Sequence, residues 1–384
     1  MILPGATLGL LGGGQLGRMF VAAARSMGYH VLVLDPDPEA PAEHFADEHI
    51  CADFRDATAL KQLTQRCAAI TTEFENAPAD SLIELAEHCV VRPRGECVAI
   101  AQDRITEKTF LRDHGFAVGP FNLIRTEADT HNQLNNISFP ALLKTSRMGY
   151  DGKGQERVDS IDQLREVYRQ LQYVPCVLEK FLPLKCEISV VLARGADGTV
   201  AAFPVAENRH AGGILDISIV PARVSDSIKQ QATDAAIRLA EELNYVGVLA
   251  VEFFVLHDDT LLINEIAPRP HNSGHYTLDA CMTSQFEQQV RALCGLPLGD
   301  TRQHSPAVMV NLLGDVWRNG KLPSEKILRH HNVKLHLYGK RYARPGRKMG
   351  HFTVLAGDLD TALMLASEIK SNLSANQFNF QPSR

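Results

Sequence analysis

Residues Val246–His275 read VGVLAVEFFVLHDDTLLINEIAPRPHNSGH, two short apolar runs parted by an acidic turn and followed by amides, imidazoles and a guanidinium. Apolar runs of this length, bounded by turn residues, read as two antiparallel strands. A turn centred on Asp258–Asp259 sets 252 opposite 265, so Glu252 faces Glu265. Like charges in that position destabilise a sheet unless something compensates. A divalent cation removes the conflict, and carboxylate oxygens beside substrate phosphates are donors that Mg2+ takes. The competing reading is one glutamate solvated at the sheet edge, or a slipped register. The second run ends in Asn264, Glu265, Arg269, His271, Asn272, Ser273 and His275, which places cation and anion ligands side by side. His271 and His275 stand four apart, but Pro268 and Pro270 argue against the helix that a paired zinc site needs.

Two other stretches carry glycine with charge. In LLKTSRMGYDGKGQ, Leu142–Gln155, a strand delivers Lys144 and a loop with Gly149, Gly152 and Gly154 carries Lys153. Glycines let a loop fold over a phosphate chain that the lysines neutralise. The Walker pattern is absent, and an exposed hairpin is the bland alternative. In GLLGGGQLGRM, Gly9–Met19, residues Gly12, Gly14 and Gly17 fit G-x-G-x-x-G, with Asp35 ending the next strand. A tight strand–helix turn, an anion site and a dinucleotide site all satisfy that pattern. Lysines and a glycine loop with two metal-binding glutamates together point to phosphoryl transfer.

A chain of 384 residues is long for one core, and two to three domains are expected. The first hundred residues alternate strands with helices, which predicts a doubly wound parallel sheet. Expected helices cover Gln15–Met27, Ala57–Cys67, Ala79–His88 and Asp103–His114, the last crossing into the second region. From Phe121 the rhythm becomes β-rich, broken by helices at Ile161–Leu171 and Asp226–Leu243; the tail from Ser305 adds short strands and a helix near Thr361–Ser371. Net charge of −6 argues against a surface that coats nucleic acid. Eight cysteines without a C-x-x-C pair read as reduced thiols of a cytosolic protein. No apolar run approaches the roughly 18 residues of a membrane span, and MILPGATLGLLGGG lacks the basic start of a signal peptide. A cytoplasmic location without nucleic-acid or membrane partners is therefore expected.

Eight segments in order carry a resemblance: GGGQLGRM, TEFEN, AQDR, GYDGKGQ, NRHAGGI, YVGVLAVEFF, NEIAPRPHNSGH and RPGRKMGH. The chain resembles the ATP-grasp superfamily, and within it the N5-carboxyaminoimidazole ribonucleotide synthetase family of purine biosynthesis. The resemblance implies an α/β and α+β, three-domain ATP-grasp architecture. Residues 1–100 would be the N-terminal α/β domain, 101–298 the ATP-grasp domain with a lid over about 121–185, and 299–384 a small β-rich domain. The reaction implied joins ATP, bicarbonate and 5-aminoimidazole ribonucleotide through carboxyphosphate, giving the N5-carboxy product, ADP and phosphate. Arg104 and Lys144 resemble the ATP-phosphate ligands, and Gly149, Tyr150, Asp151, Gly152, Lys153, Gly154 and Gln155 the closing loop. Glu179, Lys180, Phe181 and Leu182 look like the adenine-reading strand, Glu187 the ribose ligand and His210 another nucleotide-site residue. Glu252 and Glu265 are the implied Mg2+ ligands, with Asn264 beside the ATP. Arg269, His271, Asn272 and Lys340 are the implied bicarbonate and carboxyphosphate contacts. Gln15, Leu16, Glu73, Asn76, Tyr150, Asp151, Lys340, Arg347 and Lys348 would surround the ribonucleotide. The family also implies a homodimer.

Two positions depart from the pattern: Ala267 stands where the superfamily often has Asn, and Met148 where the family often has Gly. Arg344, His330, His331 and the single tryptophan, Trp317, read as surface or packing residues. An NAD-dependent oxidoreductase, another carboxylate–amine ligase or formate-using transferase, and a non-catalytic ATP-binding regulator are the competing functions.

Overall fold

His30–Leu34 alternates its side chains between two cores: Val31 and Val33 turn to one, Leu32 and Leu34 to the other. A strand buried on both faces belongs inside a parallel sheet covered by helices. The computed structural model describes residues 1–131, 134, 137–149 and 154–374, and its first sheet has that form. Five parallel strands run in the order Glu48–Ile50, His30–Leu34, Thr7–Leu11, Ala69–Thr72 and Val90–Val91. The order reverses between Thr7–Leu11 and Ala69–Thr72, and the crevice beyond the strand ends there is where doubly wound sheets hold ligands. Helix Gln15–Ser26 covers one face with Leu16, Phe20, Val21 and Ala24, joined by Phe286, Val290 and Leu293 of the later helix Gln285–Cys294. Helices Ala57–Arg66 and Ala79–Ala86 cover the other. The strand Glu48–Ile50 and the helix Gly95–Ala101 have no counterpart in the sequence reading.

The second sheet is antiparallel and four-stranded, in the order Phe121–Ile124, Cys176–Lys180, Ala141–Thr145 and Gln155–Val158. Helix Ile161–Gln170 seals it with the buried Leu164 and Tyr168, and Ser160 caps its start by accepting from the Gln163 amide at 3.2 Å. The expected loop Gly149–Gln155 follows Ala141–Thr145; Tyr150, Asp151, Gly152 and Lys153 lie outside the described residues.

The third sheet has nine strands. Its path starts at Leu261–Ala267 and runs through Gly247–Leu256, Leu184–Arg194, Ala206–Ala211 and Ile214–Val220. It continues without a break through Ala307–Leu313, Lys348–Leu355 and Val333–Leu337, so the tail strands extend the central sheet. Ile188, Val190 and Leu192 meet helix Asp226–Glu242 on one face, while Val191 and Ala193 face a separate core. Helix Leu359–Ser374 packs Ala362, Ala366 and Ile369 against the tail strands.

Candidate active site

The hairpin Gly247–Ala267 sets Glu252 directly opposite Glu265. It reaches that register by a different route from the one expected. Leu256 donates its amide to Thr260 O at 2.9 Å, so the connection is the three residues His257–Asp259, with Asp259 at φ +65°. The pairing near the turn, Val255 with Leu261 and Phe253 with Ile263, is therefore one residue out of the predicted register. A bulge restores it, because Asn264 has no cross-strand partner. Bulges re-aim the chain beside functional sites. Here the Asn264 carbonyl accepts from Lys108 Nζ at 2.8 Å, while its Oδ1 is buried with no hydrogen-bond partner among the described residues.

The two carboxylates are not equivalent. Burial, then the charge of Glu265, pushes Glu252 up to about 8. Burial also works against ionisation of Glu265, but Arg104 and Lys144 outweigh it and hold that carboxyl below its ordinary range. Arg104 Nη1 lies 3.0 Å from Glu265 Oε2. Lys144 Nζ donates to Glu179 Oε2 at 2.8 Å, and Lys108 Nζ lies 3.4 Å from Glu179 Oε1. Despite burial, these two ammoniums depress Glu179 to about 2. Burial pushes Glu107 up to about 8, and its Oε1 accepts from the Ile266 amide at 2.6 Å.

On the other side of Glu252, His271 Nε2 lies 3.3 Å from Glu252 Oε1. Burial, then the nearby Arg269, keeps this imidazole well below its ordinary pKa. The Ser273 amide donates to His271 Nδ1 at 3.3 Å, which leaves Nε2 as the N–H. Arg269 is ion-paired with Glu75, and Asn272 exchanges amide hydrogen bonds with Asn311 at 2.7 and 3.1 Å. Lys340 Nζ donates to Gln15 Oε1 and to Lys348 O, both at 2.8 Å. His210 Nδ1 lies 3.1 Å from Glu187 Oε2.

One cleft of about 1080 Å³ gathers most of these groups. Its wall includes Arg104, Lys144, Gly149, Gly154, Gln155, Glu187, His210, Glu252, Asn264 and Glu265 from the expected nucleotide set. It also includes Arg269, His271, Asn272 and Lys340, and Gln15, Leu16, Glu73, Asn76, Arg347 and Lys348 from the other two sets. The side chain of Glu179 is instead buried as the counter-ion of Lys144 and Lys108. Met148 sits at φ +61°, a conformation that favours glycine.

The glycine turn settles one open reading. Gly13 N donates to Asp35 Oδ2 at 2.6 Å, and Gly14 N to Glu73 Oε1 at 2.7 Å. The amides that would hold a pyrophosphate are thus occupied by the chain's own carboxylates. A Cβ at Gly17 would meet Gly12 O at 2.5 Å, so close helix–strand packing explains that glycine.

Glu107, Lys108, Glu75 and Asn311 were not singled out in the sequence. Arg104, Glu107, Lys108 and Leu111 fall at helical spacing in Arg104–Asp113, which places them on one face. That signal was available.

Three family models match consecutive stretches: a ribonucleotide synthetase preATP-grasp domain at 5–102, an ATP-grasp domain at 109–286 and a phosphoribosylaminoimidazole carboxylase C-terminal domain at 307–364. The N5-carboxyaminoimidazole ribonucleotide synthase of Bacillus subtilis is 46% identical, over 92% of this chain and 93% of the relative. The chain belongs to the N5-carboxyaminoimidazole ribonucleotide synthase family. Members of this synthase family are also its structural neighbours. An N5-carboxyaminoimidazole ribonucleotide synthetase solved as an ADP complex matches with a TM-score of 0.91 and 41% identity, covering 98% of this chain and 99% of that one. The Aspergillus clavatus synthase, solved with ADP and 5-aminoimidazole ribonucleotide, matches at 0.88 and 32%, covering 96% and 99%. As an ATP-grasp synthase, the chain is a ligase-type enzyme.

Proposed function

We propose that this chain carboxylates 5-aminoimidazole ribonucleotide with bicarbonate and ATP, giving N5-carboxyaminoimidazole ribonucleotide, ADP and phosphate in purine biosynthesis. The observation that carries the reading is the gathering of Glu252 and Glu265 in one cleft with Arg104 and Lys144, which act on Glu265, and with Arg269, Lys340 and the neutral His271, whose Nε2 lies 3.3 Å from Glu252.

A bicarbonate oxygen attacks the γ-phosphorus, the bond to the β-phosphate oxygen breaks, and ADP leaves. The ribonucleotide's exocyclic amine then attacks the carboxyl carbon, in carboxyphosphate itself or in the CO2 it releases; the bond from that carbon to the phosphate oxygen breaks, and the departing phosphate takes up the amine's proton. Arg104 and Lys144 hold the phosphates of ATP; Arg269, the Nε2–H of His271, Asn272 and Lys340 hold bicarbonate and the mixed anhydride. Bicarbonate by itself would have to expel hydroxide, and phosphorylation supplies the better leaving group. Carboxyphosphate hydrolyses readily, so the sheet bearing Lys144, with its loop, serves as the lid that excludes water. The amides of Lys180 and Phe181 donate to Pro120 O and Pro140 O at 3.0 and 3.3 Å, so adenine would be read by carbonyls of Glu179–Leu182 or by the Leu182 amide.

The residues present fit Mg2+: two opposed carboxylates, one pushed up by burial and then by the charge of the other, with an unsatisfied Asn264 oxygen next in sequence. Glu252 and Glu265 would hold it, and when bound it neutralises charge on the phosphates of ATP. Ala267 leaves that shell to the two glutamates, phosphate oxygens and water. Glu187 would take the ribose, with His210 beside it in the nucleotide site; Gln15, Leu16, Glu73, Asn76, Arg347 and Lys348 would surround the ribonucleotide. Units of 1–100, 101–298 and 299–384, a homodimer and a cytoplasmic location complete the reading. No helix of the described residues is long and apolar enough to cross a membrane.

The test is ADP release measured with and without bicarbonate and the ribonucleotide. Release that needs both supports the carboxylation; stimulation by formate in place of bicarbonate reassigns the acceptor.

A further inference from the structure

His336 and His351 are direct cross-strand partners on the antiparallel strands Val333–Leu337 and Lys348–Leu355. Opposed residues project from the same face of a sheet, and these two imidazoles stack with centroids 4.7 Å apart and 16° between their planes. Asp279, on the short helix Thr277–Ala280, closes a third side, its Oδ2 2.8 Å from His336 Nε2. One ring nitrogen from each histidine and one carboxylate oxygen all lie within 4.8 Å of one another.

A second observation points to a ligand. His351 is fully buried, its Nδ1 lies 2.9 Å from Tyr338 Oη, and its Nε2 has no hydrogen-bond partner among the described residues. A buried ring nitrogen with nothing to bind is a cost that a bound cation would remove.

We propose that Asp279, His336 and His351 form a binding site for one borderline-soft divalent cation, Zn2+ being the fitting occupant. The protein ligands are the Nε2 atoms of both histidines and a carboxylate oxygen of Asp279, with water in the fourth position. Two imidazoles and one carboxylate are a donor set that zinc takes and magnesium does not, so the site does not compete with the glutamate pair for its ion. The Tyr338 hydroxyl oxygen accepts the Nδ1–H of His351, the outer hydrogen bond that turns the Nε2 lone pair to the metal. Because the two rings stack nearly parallel, the partly exposed His336 must turn out of the stack for both Nε2 lone pairs to meet one ion; its ligation displaces the proton that its Nε2 shares with Asp279, and that proton leaves to water. The His336 side chain is 32% exposed and that of Asp279 10%, which gives the ion a way in. The bound ion would tie helix Thr277–Ala280 to two tail strands. It would also brace the segment that leads to Lys340, whose Nζ lies 5.6 Å from the Tyr338 ring centroid.

The test titrates the full chain, stripped of metal by chelator, with Co2+ and reads its visible absorption. A tetrahedral site with nitrogen ligands gives intense d–d bands, whereas cobalt on carboxylates and water is octahedral and weak. The expected result is one intense-band equivalent per chain, abolished by stoichiometric Zn2+. His336→Gln and Asp279→Asn, each checked for a wild-type circular dichroism spectrum, should weaken Co2+ binding at least about tenfold. His336 is partly exposed, so its variant tests the site even if Asp279→Asn fails to fold. Absence of the intense bands, or bands that survive at wild-type affinity in His336→Gln, overturns the proposal.

Discussion

Glu265 is the residue on which most depends, because it is held ionised by Arg104 and faces a carboxyl whose ionisation it opposes. Glu265→Gln removes a proposed Mg2+ ligand and relieves that repulsion, but also takes the charged partner from Arg104. ADP release should fall by about 10²–10³-fold, the scale on which a charge-stabilising group acts, while the melting temperature changes little because the two electrostatic effects oppose each other. A kinetic assay beside a thermal melt checks both. Glu179 behaves in the opposite way. Glu179→Gln leaves the buried Lys144 and Lys108 ammoniums without their counter-charge and should destabilise by about 3–5 kcal/mol at neutral pH. Its folded pKa, about 2, lies below the ordinary 4.5, so its contribution is fully present above 4.5 and is lost as pH falls toward 2. Urea denaturation across that window should show a shallower acid loss in the variant than in the wild type. At this scale Glu252, Glu265, Lys144 and Arg269 were legible, since each is charged beside an apolar run or a glycine loop. Glu107 and Lys108 were not singled out, because the helix that carries them read as a connector between regions.

At the scale of elements, the hairpin shows how a correct pairing survives a wrong turn. Sequence alternation specifies which face a strand buries, yet it does not count the residues in a turn. A three-residue turn moved the register by one, and the bulge at Asn264 moved it back. Deleting Asn264 should therefore leave Glu252 opposite Glu265 in an unbulged ladder while removing the local kink that aims Glu265 and the carbonyl that accepts from Lys108. The variant should keep its circular dichroism spectrum and lose magnesium-dependent ADP release; retained release would show that the bulge does not set the site. Alternation likewise revealed the tail strands but not their neighbours. AVMVNLL says that Ala307–Leu313 is buried, and only the fold shows that it pairs with Ile214–Val220 and prolongs the central sheet. Strand Glu48–Ile50 escaped notice because it is short and polar, formed by pairing with His30–Leu34 rather than by propensity.

At the scale of the whole molecule, the cleft exists because distant stretches close on it. Lys340 reaches Gln15 across the chain, Arg341 pairs with Glu39, and Arg92 donates to the carbonyls of Ala292 and Leu293 at 2.9 Å. Such contacts join the first sheet to the tail and to the centre, and no local pattern announces them. Lys340→Ala should raise the KM for bicarbonate about 10–100-fold, the scale of one charge-assisted hydrogen bond, and leave the KM for ATP nearly unchanged. Steady-state kinetics with each substrate varied in turn separates the two; an equal effect on both would move Lys340 out of the bicarbonate site.

The most direct test of the central claim is a crystal structure of the chain with Mg2+ and a non-hydrolysable ATP analogue. The expected result is a cation bridging the carboxylates of Glu252 and Glu265 to the terminal phosphates, with Arg104 and Lys144 against the same phosphates. A cation held elsewhere, with either glutamate turned out of its coordination shell, would contradict it.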